Sequence, residues 1–152
     1  MLSGLRMKLR ATIVSILLLV VIIGTLGLVA ELLLLEHRET FNQWLPLAVL
    51  GAGLAGCLWV AIRPGVASVR VFQILMLAFV ATGVFGVYLH YRSNVEFELE
   101  MYPTLGGWPL IWQSLKGAIP ALAPGALAQL GLLGLVFTVG HPGLRSPDRV
   151  GR

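Results

Sequence analysis

The stretch ATIVSILLLVVIIGTLGLVAELLLL, residues 11–35, decides the fold of this chain. It is an apolar run of 25 residues in which Glu31 is the only charged side chain. Since a helix rises about 1.5 Å per residue, this run would be roughly 37 Å long, enough to cross a ~30 Å hydrocarbon core with some tilt. The run is too long for the apolar region of a signal peptide, so we predict an uncleaved membrane-spanning helix.

The composition agrees with a membrane location. The chain has 152 residues, of which 57% are hydrophobic and 12% are charged, and its mean hydropathy is +0.88. A soluble domain carries about 25% charged residues, roughly twice this fraction. The net charge is +4, but the cations lie at the ends of apolar runs and do not line one face, so we expect no nucleic-acid binding.

Three further apolar runs complete the predicted fold, an all-α, four-transmembrane-helix bundle in a single integral membrane domain over residues 1–152. The predicted spans are about 11–35, 44–62, 71–91 and 120–140. We expect Trp44 to lie at the membrane interface and Pro46 to lie in the first turn of the second helix, where its missing N–H costs little.

An outer segment at 92–117 separates the third and fourth spans. Acidic and apolar residues alternate at 96–100, which predicts an extended stretch. The second half, GGWPLIWQSLKG, places apolar side chains at helical spacing and predicts a short amphipathic helix at the interface: Trp108, Ile111, Trp112 and Leu115. The basic, proline-containing tail at 141–152 is predicted to be disordered.

The distribution of cations predicts the orientation. Eight would lie on one side of the membrane: Arg6, Lys8, Arg10, Arg63, Arg70, Arg145, Arg149 and Arg152. Three would lie on the other side: Arg38, Arg92 and Lys116. The positive-inside rule then places both termini in the cytoplasm, and we expect the chain to lie in a bacterial inner membrane.

Small and polar residues within the spans predict how the helices associate. Lipid supplies no hydrophobic force between helices, so residues that allow close approach are important. Nine glycines have this role in our prediction: Gly24, Gly27, Gly51, Gly53, Gly56, Gly83, Gly86, Gly131 and Gly134. Four polar side chains are expected to face inward and form hydrogen bonds between helices: Gln73, Thr82, Gln129 and Thr138.

The candidate site residues lie toward the outer ends of the first and third helices. His37 and His90 are candidate axial ligands of a haem, because histidine ligates haem iron in many proteins. The same histidines with Glu31 and Glu96 are a candidate site for a divalent metal. Solvated residues at the membrane surface, or an acidic patch that docks a partner, are the alternatives, and Glu31 could instead pair with a nearby arginine.

These features favour a non-enzymatic membrane protein, because no catalytic motif is present. We expect an accessory or structural subunit that packs in the lipid bilayer against itself or against other membrane proteins. One alternative is a haem- or metal-binding redox protein that uses His37 and His90. A further alternative is a small proton- or cation-coupled transporter centred on Glu31, whose charge is costly within a membrane.

Overall fold

A computed structural model describes residues 2–37, 39–139, 141 and 144. The described residues form five α-helices and contain no β-strand. The helices are α1 Leu2–Leu34, α2 Phe41–Ile62, α3 Val66–Met101, α4 Gly107–Leu115 and α5 Gly125–Thr138. Within these ranges, three helices are long and apolar enough to cross a membrane: Gly4–Leu34, Phe41–Ile62 and Val66–Met101.

The first helix is longer than its apolar run. It begins at Leu2, well before the predicted start at residue 11. Residues 2–10 contain no proline and are rich in Leu, Met, Lys and Arg, all strong helix formers, so nothing stops the helix at the edge of the apolar run. Its end at Leu34 lies one residue from the predicted end.

The second helix begins at Phe41, three residues before its predicted start. The carboxamide oxygen of Gln43 accepts a hydrogen bond from the backbone N–H of Thr40 at 3.0 Å, which satisfies the residue that precedes the helix. Because of this earlier start, Pro46 lies beyond the first turn, and that prediction was wrong. Proline has no N–H to donate to the carbonyl four residues before it, that of Asn42.

The third helix does not end at residue 91 but continues to Met101. The prediction of an extended stretch at 96–100 was therefore wrong. Five alternating residues are too few to distinguish a strand from a helix, and Glu, Leu and Met are good helix formers. The ion pair between Arg92 and Glu96, four residues apart, also supports a helix there. At 36 residues, α3 is roughly 54 Å long.

The remaining two helices are short. Helix α4 lies where the sequence predicts a short helix, and its Trp108 and Trp112 rings stack with centroids 6.5 Å apart. Helix α5 has 14 residues, so it is roughly 21 Å long and shorter than the predicted span at 120–140. His141, at the start of the tail predicted to be disordered, is buried, and its ring centroid is 5.1 Å from that of Phe137. Most of that tail lies outside the described residues.

Helices α2 and α5 each pack against both α1 and α3, and α4 packs against α3. The pairing is antiparallel at α3–α5, since Gly83 lies against Ala128 whereas Gly134 lies against Met76 and Phe72. Phe72, Met76 and Phe79 are fully buried in the centre. The core is therefore centred on α3, the helix that contacts three of the other four.

Seven of the nine predicted packing glycines lie against another helix, and only Gly27 and Gly51 have open space around them. The amide of Gln73 donates to the Thr138 hydroxyl at 3.0 Å, which confirms the prediction that these two side chains form hydrogen bonds between helices. Gln129 is exposed, so the prediction that it faces inward was wrong.

Candidate functional site

The candidate site is a cavity of about 470 Å³ at the end of the fold where α1 ends and α2 begins. We call it the histidine cavity, because His37 and His90 both line it. Its wall also includes Glu31 from α1 and Asn42 and Gln43 from α2. Most of the other lining residues are apolar: Leu28, Leu32, Leu35, Leu45, Pro46, Leu50, Phe85, Leu89, Ile119, Pro120, Pro124 and Leu127.

The two histidines predicted as ligands lie together. Their ring centroids are 6.5 Å apart with an interplanar angle of 61°, an edge-on arrangement. Both side chains are half-buried. Burial lowers the pKa of His37 below its ordinary value, and the nearby His90 lowers it further, because a charge on one ring disfavours a charge on the other. The site therefore favours a neutral His37.

A tight helix end positions His37. The backbone N–H of His37 donates to the carbonyl of Leu32 at 2.9 Å, and that of Glu36 donates to Leu33 at 3.2 Å, the pattern of a Schellman motif. This motif needs a left-handed residue, and Glu36 adopts that conformation with a φ of 52°. Glycine usually occupies this position, so Glu36 holds a strained backbone directly before His37.

A backbone carbonyl orients His90. Its Nδ1 lies 3.1 Å from the carbonyl oxygen of Pro120. A carbonyl can only accept a hydrogen bond, so Nδ1 carries the hydrogen. In the neutral ring, Nε2 then has the free lone pair. Histidines that bind metals are commonly held in this way, with the other ring nitrogen donating to a carbonyl.

The two predicted acidic ligands have different surroundings. Glu31 is exposed on α1 and lines the histidine cavity, whereas Glu96 does not line it. One Glu96 carboxylate oxygen accepts from Nε of Arg92 at 2.8 Å, and both side chains of that pair are largely exposed. Within the described ranges, no group of three His, Cys, Asp or Glu residues is placed to hold a metal ion. The four-residue metal site is not assembled in this structure.

Asn94 fixes one wall of the cavity, a role that its sequence context did not predict. Its side chain is 1% exposed, and its amide nitrogen donates to the carbonyls of Ser114 at 2.9 Å and Ile119 at 2.7 Å. Its oxygen accepts from the N–H of Ile119 at 3.1 Å. Gly117 allows this approach, because a Cβ there would lie 2.5 Å from Cγ of Asn94. One asparagine in a polar stretch gives no sequence signal of such a role.

Two faces of α2 also differ in a way that bears on function. Gly53 and Gly56 face inward, against Phe79 and Leu75 respectively. The opposite face carries small residues that are all exposed: Ala48, Gly51, Ala52 and Ala55. They lie at positions i, i+3, i+4 and i+7, which places them in one stripe along the helix. We call this stripe the small-residue face of α2.

The fold thus defines an all-helical protein with three helices able to span a membrane. No known protein family matches the chain, and comparisons with curated proteins and with solved structures give no match either. The function must therefore be inferred from the residues themselves.

Proposed function

We propose that this chain is a non-enzymatic membrane subunit that packs against a neighbouring helix through the small-residue face of α2. One observation carries the proposal: no heavy atom of another described helix or loop lies within 4 Å of where a Cβ on Gly51 would be. Packing among the described residues therefore does not use this face. In lipid, small residues four apart allow two helices to approach closely, which gains dispersion energy that bulky side chains would prevent.

In this proposal, α5 crosses the membrane together with the three longer helices in a four-helix bundle. Its 14 residues are mostly apolar, and α3 and α1 flank it. The turns on either side of α5 would extend its reach toward the two surfaces. The location is a bacterial inner membrane with both termini in the cytoplasm.

Arg63 and Arg70 support this orientation, because they lie at the end of α2 and α3 opposite to the histidine cavity. The described cations of the N-terminal part of α1, Arg6 and Lys8, would lie at that same membrane surface in an antiparallel bundle. Helix α4 would lie near the opposite surface, where its exposed Trp108 and Trp112 suit an interface.

The test compares two alanine-to-leucine substitutions in protein reconstituted at low density in lipid vesicles. Ala52→Leu places a bulky side chain on the small-residue face, and we expect at least a tenfold loss of self-association, measured by energy transfer between labelled copies. Ala81→Leu is the matched control. It is exposed on α3, near the large exposed side chains of Leu77 and Val84, so it should leave association unchanged.

Several outcomes bear on this proposal. A wild-type protein that is monomeric, and that also purifies in mild detergent without a partner, would contradict it. Equal effects of the two substitutions would contradict the assignment of α2 as the interface. If only a second protein co-purifies, the same pair of variants tests whether that protein binds the small-residue face.

A second candidate function is haem or divalent-metal binding, with His37 and His90 as ligands. The 6.5 Å separation of the ring centroids favours it, as does the free Nε2 that the Pro120 carbonyl imposes on His90. A visible absorption spectrum and the metal content of the purified protein test this candidate. A Soret band or a one-to-one metal ratio that His37→Ala abolishes would support it, and a colourless, metal-free sample would remove it.

Proton or cation transport through Glu31 is the third candidate. Glu31 lines the histidine cavity, as an entry site would require. The helix that carries it, α1, is continuous from Leu2 to Leu34, however, and it lacks the break that discontinuous transport helices show near the membrane centre. Unchanged ion flux in vesicles after Glu31→Gln would end this proposal.

A further inference from the structure

The histidine cavity has the properties of a small-molecule site. At about 470 Å³ it lies within the range of ligand pockets, which are mostly apolar with a few convergent polar groups. Its deeper wall is formed by Leu50 of α2 and Leu127 of α5, both of which belong to the buried core. Its polar lining includes His37, Gln43 and His90 near the helix ends. One end of the cavity is thus apolar and the other can form hydrogen bonds.

The polar end offers acceptors. In the neutral ring of His90, Nε2 carries the lone pair, because Nδ1 donates to the Pro120 carbonyl. The carbonyl of Asn42 lacks its usual helical donor, because the residue four positions later is Pro46. Both Asn42 and Pro46 line the cavity. A ligand at this end would therefore gain from having a donor.

The same end also offers one donor. The carboxamide oxygen of Gln43 is occupied, since it accepts from the N–H groups of Glu39 at 2.6 Å and Thr40 at 3.0 Å. Its NH₂ group has two hydrogens, and no hydrogen bond from it to another described residue is present. A ligand head that both donates and accepts would match this set, and a hydroxyl group does both.

The apolar wall decides the charge of the ligand. A charged head would lose its hydration beside leucine side chains without a full set of partners, which is costly. A bare metal ion would lack a third protein ligand among the described residues. A neutral hydroxyl head on an apolar body has neither disadvantage.

We propose that the histidine cavity binds a neutral amphiphile whose hydroxyl head donates to Nε2 of His90 and whose apolar body lies against Leu50 and Leu127. A long-chain phenol and a neutral hydroxyl-bearing lipid share this chemistry. The site is independent of the small-residue face of α2, so the failure of either proposal leaves the other intact.

The test uses the full chain in nanodiscs of phosphatidylcholine, which has no hydroxyl head. The probe is 4-hexylphenol, and its methyl ether, 4-hexylanisole, differs only in lacking the donor hydrogen. We expect saturable one-to-one binding of the phenol by calorimetry, with the ether at least tenfold weaker, because one buried hydrogen bond is worth about that factor. Equal binding of the two probes, or uptake that does not saturate, would overturn the proposal.

The key variant is His90→Asn. The asparagine amide can still donate to the Pro120 carbonyl from the position of Nδ1, but it has no atom at the position of Nε2. We expect a tenfold weaker affinity for the phenol and an unchanged affinity for the ether. The control is His141→Asn, another histidine that does not line the cavity. Wild-type phenol affinity in folded His90→Asn protein would overturn the assignment.

A competition identifies the natural source of the hydroxyl. Dioleoylglycerol is added to the nanodiscs before the phenol is titrated. If it displaces the phenol from wild-type protein but has no effect on the residual binding to His90→Asn, the lipid occupies the site. If it does not displace the phenol, the site selects a smaller hydroxyl compound. Displacement that is equal in wild-type and His90→Asn protein would count against the proposal.

Discussion

The α3–α5 interface and the histidine cavity lie next to each other, and they are built in opposite ways. At the interface, glycines bring backbones together: a Cβ on Gly131 would lie 2.6 Å from the carbonyl oxygen of Met76. Phe72 and Phe137 fill the remaining space with ring centroids 5.4 Å apart. At the cavity, about 470 Å³ remains unfilled, and half-buried histidines take the place of the aromatic core.

Gly86 marks the boundary between these two regions. Its missing side chain admits Pro124, whose Cβ would lie 2.7 Å from a Cβ at Gly86, and both residues line the cavity. Close packing on one side of this point stabilises the fold, and loose packing on the other leaves room for a ligand. Substitutions in the first region should therefore cost the most stability, and those in the second should have smaller effects on stability, binding or pH response.

The largest effect is expected from Gly131→Leu. The new side chain would collide with backbone and with Cβ of Phe79 at 2.9 Å, neither of which can move easily. Overpacking of this kind costs about 3 kcal/mol of unfolding free energy. Thermal unfolding in detergent, followed by circular dichroism, measures it. Gly27→Leu is the control, because its surroundings are open, and an equal loss there would contradict the packing difference.

A smaller loss is expected from Asn94→Leu, at the cavity. This change removes three hydrogen bonds and leaves the Ser114 and Ile119 carbonyls without the Asn94 donor, which costs roughly 2 kcal/mol. We also expect faster proteolysis within residues 102–119, because Asn94 holds that segment. Gln113→Leu, an exposed position, should change neither rate nor stability. Unchanged proteolysis of Asn94→Leu would show that other contacts hold the segment.

Relief of the strain before His37 should stabilise the protein. Glu36→Gly removes the side chain that disfavours the left-handed conformation, and we expect a gain of about 1 kcal/mol. Glu39→Gly is the control, because Glu39 is an exposed acid without positive φ, and glycine there should give no gain. The midpoint of thermal unfolding reports both. A loss of stability in Glu36→Gly would mean that the contacts of the Glu36 side chain stabilise the fold by more than its left-handed backbone destabilises it.

The smallest effect concerns pH. The pKa of His37 is lower in the folded protein, so the unfolded chain binds the proton more tightly, and stability falls as the pH decreases below about 6.5 toward the folded pKa. His37→Gln should flatten this decline. The pKa of His141 is also lowered by burial, so His141→Gln provides the reference for a second histidine. A pH profile that His37→Gln leaves unchanged would contradict the role of His37.

Hydropathy predicted the apolar helices well, because long apolar runs can be read directly from the sequence. The end of α1 and the extent of α2 lie within three residues of their predicted positions. The approach of His37 and His90 agrees with their predicted positions toward the outer ends of the first and third spans, although α3 continues beyond His90 to Met101. Such features depend on local sequence, which a single chain reveals.

Features that depend on distant contacts could not be predicted in this way. The continuation of α3 to Met101 occurs among polar residues, where hydropathy has no signal. The buried position of Asn94 depends on a segment 20 or more residues later. The sequence likewise could not show that Gly53 faces Phe79 while Gly51 faces outward, since both lie in one apolar run.

The length of α3 has a mechanical consequence. At roughly 54 Å, this helix exceeds a ~30 Å hydrocarbon core by more than 20 Å even before tilt is considered. Its extra turns carry Asn94, which holds residues 114–119 by hydrogen bonds to the same helix that carries His90. A long helix changes its tilt when the bilayer becomes thicker or thinner. Because α3 carries both His90 and Asn94, membrane thickness would then change the geometry of the cavity.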